Sequence, residues 1–199
     1  MMPTKPTRET RTKARKLSIL SAALDCFCEK GVEATAVADI QRRAQCSVGS
    51  LYHHFGSKEG VAEELFIVTI QKLNSGMLRK LKRSKHAEES VKAVVFFYSD
   101  WSTRNPKLAR YLHSRDIDFS PEAKTRLRLL RREYIASVFT GFAGFVERGD
   151  MAVLPADAYV PLISGPIQEY TRLWLAGQAG SPSQVKGLFA EAAWNAVKG

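Results

Sequence analysis

Apolar side chains recur three or four positions apart along most of the chain, which is the spacing of one face of an α-helix. The first such stripe consists of Leu17, Leu20, Leu24 and Phe27. A second stripe, on a longer candidate helix, consists of Phe66, Ile70, Leu73 and Met77. Alternating runs of β-branched residues beside hairpin turns, which would indicate strands, are nearly absent. The pattern predicts an all-α protein of about nine helices.

Glycine, proline and capping residues indicate where the predicted helices begin and end. Gly31 closes the first helix, and a long helix is predicted from Ser57 to Leu81. Later helices are predicted over residues 121–148, 155–176 and 182–197. Pro161 and Pro166 predict a distortion in the second of these, because proline removes a donor and crowds the preceding turn. The third is predicted to open with a capping box that starts at Ser181.

The segment 35–59 has the pattern of two short helices joined by a tight turn. Four apolar residues, two per helix and one turn apart in each, are placed to pack together: Ile40, Ala44, Leu51 and Phe55. The Ser47 hydroxyl is placed to cap the second helix. This segment therefore predicts a helix-turn-helix.

The second helix of this motif has a polar face without any acid. With the apolar residues turned inward, the opposite face and its flanks present Gly49, Ser50, Tyr52, His53 and His54. A helix of roughly eight residues is about 12 Å long, which matches the width of the DNA major groove. A helix meant only for solvent would usually carry Lys and Glu, which favour the helical state more strongly. The motif therefore predicts DNA binding.

At these residues the chain resembles the TetR family of transcriptional regulators. The resemblance runs from about Lys16 to Leu65 and rests on Gly31, Thr35, Val37, Asp39, Ile40, Ala44, Ser47, Leu51, Tyr52, His54, Phe55, Ser57, Lys58 and Glu59. The chain departs from the family preference at Gln41, Gln45 and Gly60. Lys58 and the free N–H groups of its helix are predicted to bind a phosphate. The candidate DNA-binding residues are Thr35, Ser47, Val48, Gly49, Ser50, Tyr52, His53, His54 and Lys58.

The distribution of charged residues supports the prediction of DNA binding. The formal net charge is +10, and residues 1–60 carry ten Lys and Arg against six Asp and Glu, whereas residues 88–199 carry fourteen against twelve. A basic excess is typical of nucleic-acid binders. We predict a flexible basic arm over residues 1–14, a DNA-binding domain over 15–60, a connecting helix over 61–85 and a C-terminal domain over 86–199. A solvated tail that aids solubility is the alternative for the arm.

Two late helices carry matching apolar stripes. One consists of Ile163, Ile167, Tyr170 and Trp174, and the other of Val185, Phe189, Ala192 and Ala196. Both stripes could face the core of one chain, or they could pair with a second copy about a two-fold axis. The family resemblance favours the homodimer. Two reading heads one helical turn apart would also suit a palindromic operator.

The family resemblance also implies a ligand cavity in the C-terminal half. Residues predicted to line it are Tyr98, Trp101, His113, Tyr134, Phe142 and Gln168. The resemblance thus implies a repressor released by a small-molecule effector.

The sequence gives little support to an enzyme, a metal-binding protein or a membrane protein. The sequence has no nucleophile elbow, phosphate-binding glycine loop or paired carboxylate and base, so no enzyme and no cofactor is predicted. Cys26, Cys28 and Cys46 lack histidines at ligand spacing, so no metal site is predicted. Signal-peptide and membrane-spanning patterns are absent, and a cytoplasmic location is expected. The alternative function is a membrane-surface or partner-binding protein that uses the basic segment 79–85.

Overall fold

The structure is a computed structural model that describes residues 7–114 and 116–199. These residues form nine α-helices and no β-sheet, which confirms the all-α prediction. The helices are α1 (Arg8–Ala34), α2 (Val37–Ala44), α3 (Val48–Phe55), α4 (Lys58–Leu81), α5 (Ala87–Arg104), α6 (Pro106–His113), α7 (Pro121–Glu147), α8 (Tyr159–Leu175) and α9 (Pro182–Val197). Among the helices described, none is long and apolar enough to cross a membrane.

The N-terminal basic segment differs from its prediction. The hydroxyl of Thr7 accepts a hydrogen bond from the Thr10 N–H at 3.2 Å, and α1 begins at Arg8. Glu9 lies in the first turn, where the helix dipole favours an acid. Residues 8–14 are therefore helical, and the prediction of a flexible arm is wrong for them. The rest of the predicted arm, residues 1–6, lies outside the described residues.

One apolar cluster is formed by α1, α2, α3 and the beginning of α4. Its largest fully buried side chains are Ile19, Ile40, Leu51 and Val61. α6 contributes Tyr111 to the same cluster, although α6 lies far away in the sequence. The Tyr111 ring stacks on Phe27 with centroids 5.9 Å apart, and its hydroxyl donates to the Ala62 carbonyl at 2.8 Å. The first cluster is therefore completed by a residue of α6.

A second cluster fills the space between the later half of α4 and helices α5, α7, α8 and α9. Phe142 and Tyr159 are fully buried at its centre, with ring centroids 5.7 Å apart. A Cβ at Gly141 would overlap the Leu81 side chain, so this glycine permits the close approach of α7 to α4.

α4 connects the two clusters, because Val61 and Leu65 lie in the first and Leu73 and Met77 in the second. Residues 82–86 separate the end of α4 from the start of α5. The division into domains 15–60, 61–85 and 86–199 remains a proposal that this arrangement supports.

Two of the later helices differ from the pattern-based expectation at their beginnings. α8 begins at Tyr159 rather than at residue 155, and it continues through Pro166. The Ser181 side chain makes no capping bond to the backbone of α9; its hydroxyl pairs with the Ser183 hydroxyl at 2.9 Å. The predicted capping box at this position is therefore wrong.

Candidate nucleic-acid interface

The turn between α2 and α3 depends on one residue with an unusual backbone. Gln45 has φ 49° and ψ 49°, the left-handed conformation, and its N–H donates to the Gln41 carbonyl. The Cys46 N–H donates to the same carbonyl at 3.2 Å. A side chain in this conformation costs roughly 1 kcal/mol relative to glycine. That cost explains why the family prefers glycine at the position of Gln45.

The inner face of α3 is anchored as predicted. The Ser47 hydroxyl accepts from the Ser50 N–H at 3.1 Å and so caps the helix. Leu51 is fully buried, and Phe55 packs against the cluster that contains Ile40. These contacts set the orientation of the opposite face.

The outer face of α3 is open to solvent. Its exposed members are Ser47, Val48, Gly49, Tyr52 and His53. Tyr52 is 49% exposed, and among the described residues its ring stacks on no other aromatic ring. The space around a Cβ at Gly49 is empty, so no contact within the chain requires glycine there. Ser50 and His54 are half-buried at the edges of this face.

Two side chains predicted to bind DNA are used inside the domain. Thr35 is 1% exposed, and its hydroxyl donates to the Gly31 carbonyl at 2.6 Å. The Lys58 ammonium donates to the Glu33 carbonyl at 2.8 Å, and its side chain is only 18% exposed. Both side chains close the end of α1, where unpaired carbonyls favour a donor or a cation. Thr35 is thus too buried for the DNA contact predicted for it, whereas the phosphate contact predicted for Lys58 stays a prediction.

Basic side chains of α1 lie beside the turn and α3. Arg15 Nη1 donates to the Gln45 carbonyl at 3.3 Å. Burial lowers the pKa of His54, and the positive charges of His53, Lys16 and Arg15 lower it further. A positive field thus borders the acid-free face of α3, an arrangement that attracts phosphate groups.

Neighbouring arginines on α2 have different environments. Arg43 makes a bidentate ion pair with Glu29 at 2.7 and 2.9 Å, which lowers the pKa of the Glu29 carboxyl. The side chain of Arg42 is 79% exposed, and its ion pair with Asp39 is long at 3.8 Å. The sequence does not single out Arg42, because spacing alone does not distinguish an exposed cation from a paired one.

The cysteines show no arrangement for metal binding. Burial raises the pKa of both the Cys26 and the Cys28 thiols. Over residues 7–114 and 116–199, no group of three or more His, Cys, Asp or Glu side chains is placed to hold a metal ion.

The larger domain contains a cavity of about 400 Å³ among α4, α5, α6, α7 and α8. Four of the predicted ligand-binding residues line it: Tyr98, His113, Tyr134 and Gln168. One wall is the predicted apolar stripe of α4, Phe66, Ile70, Leu73 and Met77. The volume lies within the range of small-molecule sites.

Two residues predicted for this cavity lie elsewhere. Trp101 lines a separate pocket of about 230 Å³ between the domains, beside Leu20 and Leu65. Phe142 lies two helical turns beyond Tyr134, past the cavity, where it is fully buried against the tyrosine ring of α8. Contrary to the prediction, Trp101 and Phe142 do not line this cavity, because the direction of each side chain depends on tertiary packing.

The inner polar groups of the cavity are neutral and already paired. The Tyr98 hydroxyl lies 3.0 Å from His113 Nε2, and Gln168 Nε2 donates to the Ser164 hydroxyl at 3.0 Å. Burial raises the pKa of Tyr98 well above its ordinary value. Burial, with a smaller effect of Arg172, lowers the pKa of His113. The phenol and the imidazole are consequently uncharged near pH 7.

Sequence reasoning missed several cavity residues, among them Leu112, Phe119, Leu127 and Arg131. On α7 a signal was present, because Leu127, Arg131 and Tyr134 recur at helical spacing. The sequence could not show which face of α7 turns toward α4.

The predicted dimer stripes mostly face each other within one chain. Ile163 and Ile167 are 3% and 0% exposed in the core, so the prediction that they form a dimer interface is wrong. The Tyr170 and Phe189 rings lie 5.1 Å apart across α8 and α9. Half-buried positions along these helices also include Trp174 and Val185, whereas Ala192 and Ala196 are exposed.

Comparisons with known proteins agree with this geometry. The profile of the family described as "Bacterial regulatory proteins, tetR family" matches residues 19–65. The repressor KstR2 of Rhodococcus jostii is 43% identical over 61 residues, which is 30% of this chain and 30% of that protein. The regulator IcaR of Staphylococcus aureus is 26% identical over 106 residues, 53% of this chain and 57% of that protein. The chain thus matches under two thirds of the length of these relatives.

Solved structures share the fold over nearly the whole chain. A TetR-family regulator from Marinobacter aquaeolei has a TM-score of 0.76 at 21% identity, covering 96% of this chain and 98% of that one. FadR of Bacillus subtilis, in complex with stearoyl-CoA, has a TM-score of 0.78 at 18% identity, covering 90% and 98%. Residues 19–65 thus match the TetR family of bacterial regulatory proteins, and the chain as a whole shares the fold of these solved structures.

Proposed function

We propose that the chain is a transcriptional repressor that binds a palindromic operator as a homodimer and releases it when a small effector binds. The observation that carries DNA binding is the solvent-open, acid-free outer face of α3, bordered by the cations of α1. KstR2 and IcaR, each similar to part of this chain, are by their names a transcriptional repressor and a negative transcriptional regulator. The proposed location is the cytoplasm, where the operator would be.

Base reading is assigned to Tyr52 and His53, the two exposed side chains at the centre of this face. Gly49 would permit close approach of the backbone to the groove, since its surroundings are open. The cations beside the face would contact phosphates and supply affinity for any sequence. This division of labour supports the DNA-binding proposal over a membrane-surface role, for which an exposed phenol and imidazole give no advantage.

The proposed homodimer uses the outer faces of α8 and α9. Leu162 is 38% exposed on α8, and Leu188 is 70% exposed on α9. Pro166 and Ala192 are exposed on the same two helices. Apolar groups of this kind, on helices that already pack together, are suited to a self-complementary contact about a two-fold axis.

A charge placed on this surface tests the dimer. Leu188→Arg should convert the protein to a monomer and lower operator affinity, because a buried unpaired charge opposes association. The matched control is Leu129→Arg on α7, where the leucine is 54% exposed outside α8 and α9. Sedimentation of both variants would contradict the proposal if Leu188→Arg remained a dimer.

Effector response is supported by the position of α6 between the two domains. Tyr111 enters the N-terminal cluster, while the next two residues, Leu112 and His113, line the cavity. Lys107 at the start of α6 forms an ion pair with Asp25 of α1 at 2.5 Å. A ligand that displaced α6 would therefore shift the contacts that orient the DNA-binding domain. The preference of the ligand for one conformation sets the coupling free energy between effector binding and operator binding, which is typically about 1–3 kcal/mol.

The test of the whole proposal is selection of bound sequences from random DNA. The expected product is a palindrome whose half-sites lie about 34 Å apart, one helical turn of DNA. Compounds are then screened for release of that sequence. Recovery of DNA without any shared sequence would overturn sequence-specific regulation.

A further inference from the structure

The cavity of the larger domain is apolar over most of its wall. Nine of its fifteen lining side chains are apolar, and none is acidic. The volume is about 400 Å³. It could hold roughly 13 groups of the size of a water molecule, at about 30 Å³ each. A ligand body of about a dozen carbon atoms would therefore fill it.

Most polar groups of the cavity need no ligand. Tyr98 pairs with His113, and Gln168 pairs with Ser164. The Tyr134 hydroxyl points to the sulfur of Met77 at 3.6 Å. These groups satisfy one another in the absence of any bound molecule.

Arg131 differs from Arg126 and Arg128, which lie on the same helix. Arg126 pairs with Glu64 at 3.0 Å, and Arg128 donates to the Thr125 hydroxyl at 2.9 Å. Among the described residues Arg131 has neither an ion pair nor a hydrogen bond, yet it lines the apolar cavity. Asn74, across the cavity on α4, likewise has no hydrogen-bond partner in the described part of the chain. Arg131, whose side chain also reaches solvent, and Asn74 are therefore the polar lining residues that have no partner within the described chain.

A neighbouring groove limits the size of the charged group. Between α4 and α7 lies a polar groove of about 320 Å³, which shares Asn74, Leu130 and Tyr134 with the cavity. Its lining includes the acid Glu133 and no basic residue. A large polyanionic head extending into this groove would meet a like charge and no compensating cation.

We propose that the effector is a compact monocarboxylate with an apolar body of about a dozen carbons, and that Arg131 binds its carboxylate. Guanidinium is suited to this contact, because it binds carboxylate through two parallel hydrogen bonds. The Asn74 amide is placed to donate to the same group. This assignment rests on the proposed ligand-responsive function and specifies the chemistry of its site.

The test uses the full chain and four probes: dodecanoate, dodecanol, methyl dodecanoate and dodecanoyl-CoA, each below the concentration at which it forms micelles. Calorimetry should show dodecanoate binding at least tenfold more tightly than the alcohol or the ester. Arg131→Gln should weaken dodecanoate binding about 10- to 100-fold, the loss expected for a charged hydrogen bond. The same variant should leave dodecanol binding unchanged. Arg131→Lys keeps the positive charge, so its affinity for dodecanoate should lie between those of the wild type and of Arg131→Gln.

The matched control is Arg132→Gln on α7, because Arg132 is exposed and unpaired within the described chain, as Arg131 is, but does not line the cavity. It should bind dodecanoate like the wild type. Equal affinity of the wild type for dodecanol and dodecanoate would overturn the proposal, as would equal losses in the Arg131 and Arg132 variants or tighter binding of dodecanoyl-CoA. Operator binding without ligand is measured in parallel, which separates the proposed repressor function from the carboxylate assignment. Intact operator binding without a preference for the carboxylate would reject only the assignment.

Discussion

Polar side chains point in opposite directions in the two domains. On α3 of the N-terminal domain, Tyr52 and His53 point outward and leave their hydrogen-bonding groups in water. In the larger domain Tyr98 and His113 point inward, pair with each other and have pKa values shifted by burial. Tyrosine and histidine are therefore suited to a large partner such as DNA on α3, and to a small molecule in the cavity.

The outer face of α3 and the cavity also differ in the contacts that position their residues. The outer face of α3 is positioned by contacts close in sequence, such as the Ser47 cap and the buried Leu51. The cavity is assembled from five helices, and its walls join residues as distant as Phe66 and Gln168. Four experiments can test this contrast.

The largest effect is expected in the core of the larger domain. Phe142→Ala should destabilise that domain by about 3–5 kcal/mol, since it removes a fully buried ring and leaves a void. Phe139→Ala, on the same helix but 41% exposed, is the control and should cost far less. Hydrogen exchange should show lost protection in α7 and α8 while the amides of α2 and α3 change little. Equal loss in both domains would show that the two cores unfold as one unit.

The next effect concerns the exposed face. Tyr52→Ala should weaken binding to a selected operator by about 1–3 kcal/mol, because it removes a contact to a base edge. Folding should be unaffected, since half of the side chain is in water. Mobility shifts on the operator and on scrambled DNA measure the difference. Wild-type affinity for both would mean that α3 does not read bases through Tyr52.

A smaller effect is expected at the junction between the domains. Tyr111→Phe removes the hydrogen bond to the Ala62 carbonyl and should cost about 0.5–1.5 kcal/mol of stability. It should also reduce the effector-induced loss of operator affinity, while effector binding itself stays normal. Tyr98→Phe is the comparison, because it changes the cavity and should alter effector binding directly. An unchanged response in Tyr111→Phe would exclude this contact from the coupling.

The smallest effect is the pH dependence that His113 contributes. Its pKa is lowered in the folded protein, so the unfolded chain binds the proton more readily. This contribution to stability is complete above the ordinary histidine pKa of about 6.5. It declines as the pH falls from there toward the lower pKa of the folded state. His113→Asn should remove that part of the pH slope in urea unfolding, and His86→Asn, at an exposed histidine, should not.

Much of the N-terminal site was predictable, and the exceptions are instructive. The packing of Leu51 and the Ser47 cap follow from helical spacing over a few residues. The sequence does not show that the Thr35 and Lys58 side chains turn back to the carbonyls at the end of α1. That choice depends on how α4 is placed beside α1, which no local pattern contains.

In the larger domain the sequence could indicate faces but not their partners. The stripe of α4 was recognised, and it lines the cavity. The stripes of α8 and α9 were recognised too, but Ile163 and Ile167 are buried within one chain. An apolar stripe has the same period whether it meets its own core, a ligand or a second copy.

The sequence alone therefore determined the all-α class, the helix-turn-helix and the acid-free face of α3, since each depends on periodicity and on caps within a few residues. Only the tertiary structure decided which cations remain unpaired, which aromatic rings enclose the cavity and where Arg131 lies. Those properties depend on side-chain direction and on contacts between helices distant in the chain, where packing outweighs local preference.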